Sequence, residues 1–264
     1  MKDFEFHRPA TIKDAIGLVR DRAGAKFLAG GQSLLPVLKL ELAESSDLVS
    51  LAQLKELRDI RVDGDKLVIG ALVTHDQVDR SPEVRRRIPA LAALAGGIGD
   101  AQVRNRGTLG GSVAHADPAA DYPAALVALG ATIKTDRRSI AAEDFFTGLF
   151  ATALEHGELV TAVVFPIPKR AAYAKFAHRA SKYALVGVMV AETAAGVRVA
   201  VTGAAAKVFR APALEAALGK QLAPAALDGI VASAAELNSD DEASAEYRAH
   251  LIGVMARRAV QALA

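Results

Sequence analysis

Hydrophobic and polar positions along the first part of the chain alternate between a two-residue and a helical period, which predicts a mixture of short strands and helices. Phe4-Glu5-Phe6 alternates like a strand, and Thr11 is a typical N-cap for a helix whose apolar face carries Ala15, Leu18 and Val19. Strands are predicted at 26–28 (buried), 47–50, 60–62, 67–69, 131–135 and 158–165, and helices at 34–40, 74–78, 82–94 and 122–129, with Thr74 as the N-cap of the second helix in this list. Asp63-Gly64-Asp65 between two of these strands indicates a hairpin.

A second pattern begins after Pro166-Ile167-Pro168, where two prolines interrupt both helix and sheet hydrogen bonding. The sequence therefore predicts two domains, at 1–168 and 169–264. Apolar runs in the second domain predict strands at 173–176, 185–191 and 197–201, followed by helices from 211, over 224–237 and over 244–255. Leu251, Ile252 and Met255 on the last helix are expected to form the core of the domain rather than an interface with a partner.

Composition excludes several classes of function. The net charge of the 264 residues is +2, and no basic stretch is interleaved with aromatic residues, so nucleic-acid binding is not expected. Cysteine is absent, which excludes disulfides, iron–sulfur ligation by this chain and a thiol nucleophile. The six histidines lack metal-ligand spacing. With neither an apolar N-terminal segment nor an apolar run of about eighteen residues, the chain is predicted to be cytoplasmic and without a transmembrane segment.

Two glycine-rich segments, Ala29-Gly30-Gly31-Gln32-Ser33 and Thr108-Leu109-Gly110-Gly111-Ser112, are the strongest functional signal. Each combines two glycines with a hydroxyl residue. Without a Cβ atom, backbone N–H groups can approach a ligand closely, and two such segments could hold the two phosphates of a dinucleotide. A single Gly-Gly pair is more often a plain turn, so the hypothesis depends on the two segments together.

The residues around the second segment allow both binding and structural interpretations. Arg104 and Arg106 could neutralise a phosphate or lie on an exposed turn. Asp117 and Asp121 could accept hydrogen bonds from ribose or ribityl hydroxyls, or could form an Asp-Pro turn and a helix cap. A Rossmann fingerprint at 97–102 is rejected, because Gln102 replaces the third glycine and a helix rather than a strand precedes it.

At these residues the chain resembles a known family. AGGQSLLP at 29–36 and VRNRGTLGGSVAHADPAADYP at 103–123 are similar to the flavin-binding medium subunit of molybdenum hydroxylases, a group that includes the carbon monoxide dehydrogenase medium subunit and the flavin domain of xanthine dehydrogenase. The resemblance extends over nearly the whole chain. It implies an α+β fold: a vanillyl-alcohol-oxidase-type FAD-binding fold of two subdomains, followed by a C-terminal domain with a three-stranded antiparallel sheet and helices.

The resemblance also implies which residues bind FAD. The two glycine segments should surround the pyrophosphate with N–H groups and hydroxyls, Ile98 should lie near the adenine, and Tyr183 should cover one face of the isoalloxazine. The implied set is Ala29, Gly30, Gly31, Gln32, Ser33, Leu34, Ile98, Thr108, Leu109, Gly110, Gly111, Ser112, Asp117, Asp121, Val160, Lys175 and Tyr183. Gln32 stands where many members have histidine, and no residue is placed to attach flavin covalently, so non-covalent FAD is expected. Lys182 could favour reduced flavin or could be a surface lysine.

The same resemblance implies an oxidoreductase subunit without catalytic or metal-binding residues of its own. A large partner subunit would hold the molybdenum cofactor and a small partner subunit two [2Fe-2S] clusters, in a dimer of heterotrimers. Electrons would reach FAD from the clusters and leave to NAD, a quinone or dioxygen. One alternative is a stand-alone FAD-dependent oxidoreductase of the same superfamily, although the region after Pro168 is short for a separate substrate domain. Another is a scaffold that has lost its flavin, which the intact glycines disfavour.

Overall fold

The computed structural model describes residues 2–263. Residue 1 of the first predicted domain and residue 264 of the second therefore lie outside the described residues. The N-terminal part is a three-stranded parallel sheet in the order β1-β3-β2, built from β1 (Glu5–His7), β2 (Ala25–Leu28) and β3 (Asp47–Ser50). Helix α1 (Ile12–Arg20), capped by the Thr11 side chain, packs on β2 and β3. Helix α2 (Leu34–Lys39) follows β2 directly after the first glycine segment.

The second part is a five-stranded antiparallel sheet in the order β4-β5-β10-β6-β7, accompanied by short helices. Its strands are β4 (Ile60–Asp63), β5 (Lys66–Gly70), β6 (Thr132–Thr135), β7 (Ser139–Ala141) and β10 (Val160–Pro166). Its helices are α3 (His75–Arg80), α4 (Pro82–Arg87), α5 (Pro89–Gly96), α6 (Ala101–Arg106), α7 (Leu109–His115), α8 (Tyr122–Leu129) and α9 (Ala142–Phe145). A small hairpin of β8 (Phe146–Gly148) and β9 (Ala151–Thr152) and a 3-10 helix (Lys55–Arg58) complete this part.

The C-terminal part is an antiparallel sheet covered by helices. Its strands are β11 (Arg170–Ala177), β12 (Ala184–Thr193), β13 (Gly196–Thr202) and β14 (Phe209–Arg210), in that order. Helix α10 (Pro212–Lys220), a 3-10 helix (Pro224–Leu227) and α11 (Ala245–Gln261) follow. The sheet contains the three predicted strands, and the two-residue β14 adds a fourth that its length hid from sequence analysis.

Three hydrophobic clusters stabilise these parts, and the one that contains α8 also includes Met189, Ala191 and Ala200 of the C-terminal sheet. Every side chain of α8 is buried, because this helix packs against β12 and β13 as well as its own sheet. Leu251, Ile252 and Met255 of α11 are at most 4% exposed and belong to the C-terminal cluster, which confirms their predicted core position. Within residues 2–263, no helix is long and apolar enough to cross a membrane.

Several predicted elements were wrong. The helix expected over 82–94 is two helices, because Pro89 disfavours helical geometry at Ile88, whose φ and ψ are −139° and 70°. The helix expected over 224–237 ends as a 3-10 turn at Leu227, and Gly229 then takes a φ of +77°. The strand 26–28 is only partly buried, since Phe27 and Leu28 border a cavity. The second glycine segment, expected as a loop, is the start of α7.

Candidate cofactor site

A cavity of about 630 Å³ lies where the three parts of the fold meet. Its wall combines the end of β2, the starts of α2 and α7, the segment 152–160 and the turn before β12. Most of the predicted site residues border it: Ala29, Gly30, Gly31, Gln32, Ser33, Leu34, Ile98, Thr108, Gly110, Gly111, Ser112, Asp117, Asp121, Val160 and Tyr183. Leu109 and Lys175 do not border it. Leu109 is fully buried in the core, and the Lys175 side chain is hydrogen-bonded to Asp121.

The first glycine segment is an open loop between β2 and α2. Gly31 has a φ of +75°, a conformation that favours glycine. The N–H groups of Gly30 through Leu34 donate to no backbone or side-chain acceptor among the described residues. Five consecutive donors beside a cavity form a positively polarised surface suited to an anion such as a phosphate.

The second glycine segment has a different geometry. Thr108 caps α7 by accepting a hydrogen bond from Gly111 N–H at 3.1 Å. Three neighbouring amides are also occupied: Leu109 donates to Val73, Gly110 to Ala71 and Ser112 to Thr108. The expectation that these N–H groups are free to surround a phosphate was therefore wrong for this segment. The Ser112 hydroxyl, which has no partner within residues 2–263, is its free polar group at the cavity.

The two segments touch each other. A Cβ atom built on Gly30 would lie 2.1 Å from the Arg106 carbonyl oxygen, so only glycine permits this approach of the first segment to the chain before the second. A Cβ atom on Gly110 would lie 2.8 Å from the Ala71 carbonyl oxygen, so this glycine is required for packing against the end of β5. The glycines thus bring both segments to one side of the cavity.

Arginines contribute little to this surface. Arg104 Nη1 donates to the carbonyl oxygens of Ile98 and Gly99 at 3.1 and 3.2 Å, and neither Arg104 nor Arg106 borders the cavity. Their predicted role in neutralising a phosphate is not supported, and the exposed-turn alternative was also wrong because both belong to α6. The first segment therefore provides the polarised donors through backbone amides.

The two aspartates have different environments. Asp117 Oδ1 accepts from Ala119 N–H at 2.8 Å, which is the predicted Asp-Pro turn. Asp121 precedes α8 without capping it, so that prediction was wrong. Instead its oxygens accept from the Tyr173 hydroxyl at 2.5 Å and from Lys175 Nζ at 3.0 Å. Burial raises the pKa of Asp121, and the Lys175 charge and the Tyr173 hydroxyl act against that rise.

Tyr183 borders the cavity at the end of the turn before β12 and is 42% exposed. Burial and the nearby Asp117 raise the pKa of Tyr183, and the side chain of Ser33 acts against that rise. Lys182 also borders the cavity and has a φ of +65°. Its influence on a flavin stays a prediction.

Sequence analysis missed two parts of the wall. His75, the first residue of α3, is buried, and desolvation followed by the Arg104 charge lowers the pKa of His75 to about 4. The segment 152–159, which precedes the predicted Val160, is held by Glu158, which pairs with Arg138 at 2.9 Å. Hydrogen bonding to Arg138 outweighs burial and lowers the pKa of Glu158 to about 2. The Thr74 cap indicated the helix at His75, but nothing in the local periodicity of 152–159 placed that segment at a cavity.

The cavity fits FAD in size and in the chemistry of its wall. Its volume suits a ligand of dinucleotide size. The unpaired amides lie in the cavity wall and could donate to a pyrophosphate, and the carboxylates of Asp117 and Asp121 could accept hydrogen bonds from hydroxyls. Ile98, Leu154 and Tyr183 add apolar surface suitable for flat rings.

Comparison with known proteins agrees with this geometry. Residues 2–168 match the family described as FAD binding domain in molybdopterin dehydrogenase, and residues 171–263 match the CO dehydrogenase flavoprotein C-terminal domain. The chain is 38% identical to the nicotine 6-hydroxylase medium subunit of Paenarthrobacter nicotinovorans, over 96% of this chain and 94% of that protein.

Two solved structures have the same fold over nearly the whole chain. One is carbon monoxide dehydrogenase from Hydrogenophaga pseudoflava, with a TM-score of 0.91 and 36% identity over 99% of this chain and 97% of that chain. The other is quinoline 2-oxidoreductase from Pseudomonas putida 86, with a TM-score of 0.90 and 32% identity over 100% and 98% of the two chains. The predicted α+β class is confirmed.

Proposed function

The chain belongs to the family of FAD-binding medium subunits of molybdenum hydroxylases, and from this premise we propose that it holds non-covalent FAD in the cavity and relays electrons within a larger complex. As a member of this family it is part of an oxidoreductase, and FAD is its cofactor. The proposal concerns the path of the electrons, the partners and the residues that hold FAD. It also includes the division into an FAD-binding domain at 1–168 and a C-terminal domain at 169–264.

The unpaired amides of Gly30 through Leu34 are the observation that carries the proposed binding mode. A pyrophosphate needs several donors at close range, and backbone N–H groups can supply them without a cationic side chain. In this arrangement the first segment holds the pyrophosphate, and Ser112 adds a hydroxyl donor from the second. Leu109 serves the site only indirectly, since its side chain and N–H group are used in packing α7 against Val73.

The remaining predicted residues then have separate roles. Ile98 contacts the adenine end, and Asp117 and Asp121 accept hydrogen bonds from sugar or ribityl hydroxyls. Val160 contributes its backbone, and Tyr183 covers one face of the ring system. FAD, when bound, accepts electrons singly and delivers them singly or in pairs, so the protein supplies position and electrostatics rather than an acid–base residue.

The proposed partners follow from the relatives. Curated relatives of this chain carry names such as medium chain of carbon monoxide dehydrogenase, which describe one subunit among several. We infer a large subunit with the molybdenum cofactor and a small subunit with two [2Fe-2S] clusters, assembled as a dimer of heterotrimers. NAD, a quinone or dioxygen would take the electrons from FAD. The cytoplasmic location predicted from the sequence stays a prediction.

Purification of the native complex tests the proposal. The sample is analysed by absorption spectroscopy, by release of the cofactor on denaturation, and by measurement of iron and molybdenum. FAD that is released without covalent attachment, together with both metals, would support the proposed function. FAD without metals would favour the stand-alone oxidoreductase, and a complex without flavin would contradict the assignment of the cavity.

A further inference from the structure

Lys175 lies on β11 with a side chain that is only 11% exposed and fully hydrogen-bonded. Its Nζ donates to Asp121 Oδ2 at 3.0 Å, to the Gly97 carbonyl oxygen at 2.9 Å and to the Lys182 carbonyl oxygen at 2.9 Å. An ammonium group has three donors, and all three are used. One buried charge therefore joins the end of α5, the start of α8 and the turn before β12.

That turn, residues 178–183, connects β11 to β12 and ends at Tyr183. Two backbone hydrogen bonds close it: His178 N–H to the Tyr183 carbonyl oxygen at 2.8 Å, and Lys182 N–H to the His178 carbonyl oxygen at 3.0 Å. Lys182 has a φ of +65°, which is unfavourable for a residue with a Cβ atom. The bond from Lys175 to the Lys182 carbonyl oxygen holds this residue in place despite that cost.

The position of Tyr183 follows from the position of this turn. Tyr183 borders the cavity, as does Ser33 of the first glycine segment. Lys175 itself does not border the cavity. Any effect of Lys175 on a ligand in the cavity therefore passes through Tyr183 or through Asp121.

We propose that Lys175 is a positioning residue, which fixes the 178–183 turn through the Lys182 carbonyl oxygen and so holds Tyr183 against the flavin. This inference rests on the proposed FAD site. It replaces the direct flavin contact that the family resemblance implied for Lys175. Asp121 has a second role in this arrangement, because its carboxylate balances the buried positive charge of Lys175.

The first experiment uses the full chain without flavin. Trypsin cuts after Arg179 and Lys182 inside the turn, so the rate of cleavage there reports whether the turn is held. Lys175→Met should increase this rate about tenfold, because three hydrogen bonds of a charged group are lost. The matched control is Lys169→Met, which removes an exposed lysine just before β11.

Lys175→Met leaves Asp121 buried without its cation, which could affect folding as a whole. Lys175→Met combined with Asp121→Asn removes that uncompensated charge and retains the possibility of the bond from Tyr173. The double variant should show the same faster cleavage in the turn, with cleavage elsewhere unchanged. Cleavage in the turn at the wild-type rate in both variants would overturn the proposal.

The second experiment follows the flavin spectrum and fluorescence of the FAD-loaded chain in a double-mutant cycle. Lys175→Met should change both signals when Tyr183 is present and should have no further effect in a Tyr183→Ala background. An equal change in both backgrounds would show that Lys175 acts on the flavin by a route other than Tyr183 and would overturn positioning through Tyr183. A wild-type chain that binds no FAD would contradict the proposed function, whereas the proteolysis result would still decide whether Lys175 holds the turn.

Discussion

The two glycine segments have similar sequences and different structures. In the first, five consecutive amides lack an acceptor among the described residues, and Gly31 adopts a φ of +75°. In the second, Thr108 caps a helix, and the amides of Leu109 through Ser112 are all engaged within the chain. Two glycines beside a hydroxyl residue can thus make a binding loop or a tightly packed helix start. The partners of the amides distinguish the two cases.

The glycines of the two segments have different structural roles. Those of the first segment expose donors and allow its approach to Arg106, whereas Gly110 of the second allows α7 to pack on Ala71. Variants in the second segment should therefore affect folding first, and variants in the first should affect FAD binding first. This expectation can be tested at individual positions.

The largest effect is expected for Gly110→Val. A Cβ atom at this position would lie 2.5 Å from the Ala71 Cβ atom and 2.8 Å from its carbonyl oxygen, and backbone cannot move aside easily. We expect the free energy of unfolding without FAD to fall by about 3 kcal/mol or more, measured by urea denaturation. Normal stability of this variant with lost FAD binding would contradict the packing role.

The next largest effect is expected in the pH dependence of the free energy of unfolding, through His75, whose N–H group donates to Gly107 just before the second segment. The pKa of His75 is about 4 in the folded chain and about 6.5 when unfolded, because burial disfavours its charged form. Between these values the unfolded chain binds more protons, so the His75 contribution is complete above pH 6.5 and is lost as the pH falls toward 4. The loss should approach about 3 kcal/mol.

The measurement for His75 is the free energy of unfolding at several pH values in this window. His75→Gln, which cannot gain a proton, should show a shallower decline than wild type. His250→Gln, at an exposed position on α11, is the matched control and should follow the wild-type curve. Equal slopes for wild type and His75→Gln would count against a buried neutral His75.

Gly31→Ala tests the first segment. An alanine at a φ of +75° is strained, and its Cβ atom would lie 2.9 Å from the flexible Leu35 side chain, so the loop should shift without unfolding the protein. The dissociation constant for FAD should rise about tenfold in a fluorescence titration. Gly219→Ala, where a Cβ atom meets open space, is the control. Unchanged FAD affinity would remove the first segment from the site.

The smallest effect is expected for Ser112→Ala. Its hydroxyl has no partner within residues 2–263 and borders the cavity. Loss of one hydrogen bond to a bound phosphate should raise the dissociation constant for FAD about threefold to tenfold and leave the stability of the FAD-free chain unchanged. Ser139→Ala, on the exposed side of β7, should change neither quantity. A loss of stability without a change in affinity would make Ser112 purely structural.

Most elements were predictable because their signals are local. The Thr11 and Thr74 caps, the hairpin around Gly64 and three of the four strands of the C-terminal sheet were predicted from neighbouring residues. The site was less predictable. Family resemblance supplied its residues, but the sequence could not show which amides would be free, because their acceptors at Ala71 and Val73 lie far away in the chain.

The contact between Asp121 and Lys175 was hidden from sequence analysis for a similar reason. Next to an apolar helix, Asp121 has the pattern of a cap, and Lys175 on a strand has the pattern of an exposed lysine. Their pairing joins residues 54 positions apart, so no local pattern could reveal it. Long-range polar contacts of this kind depend on the packing of α8 against the C-terminal sheet.

Amide hydrogen exchange at residue resolution, with and without FAD, can show whether the first glycine segment rather than the second binds the cofactor through its backbone. Without FAD, the amides of Gly30 through Leu34 should exchange quickly, whereas those of Leu109 through Ser112 should already be protected by their hydrogen bonds. Addition of FAD should slow exchange strongly in the first group and little in the second. Fast exchange in the first group after FAD binding, with new protection confined to the second, would contradict the account.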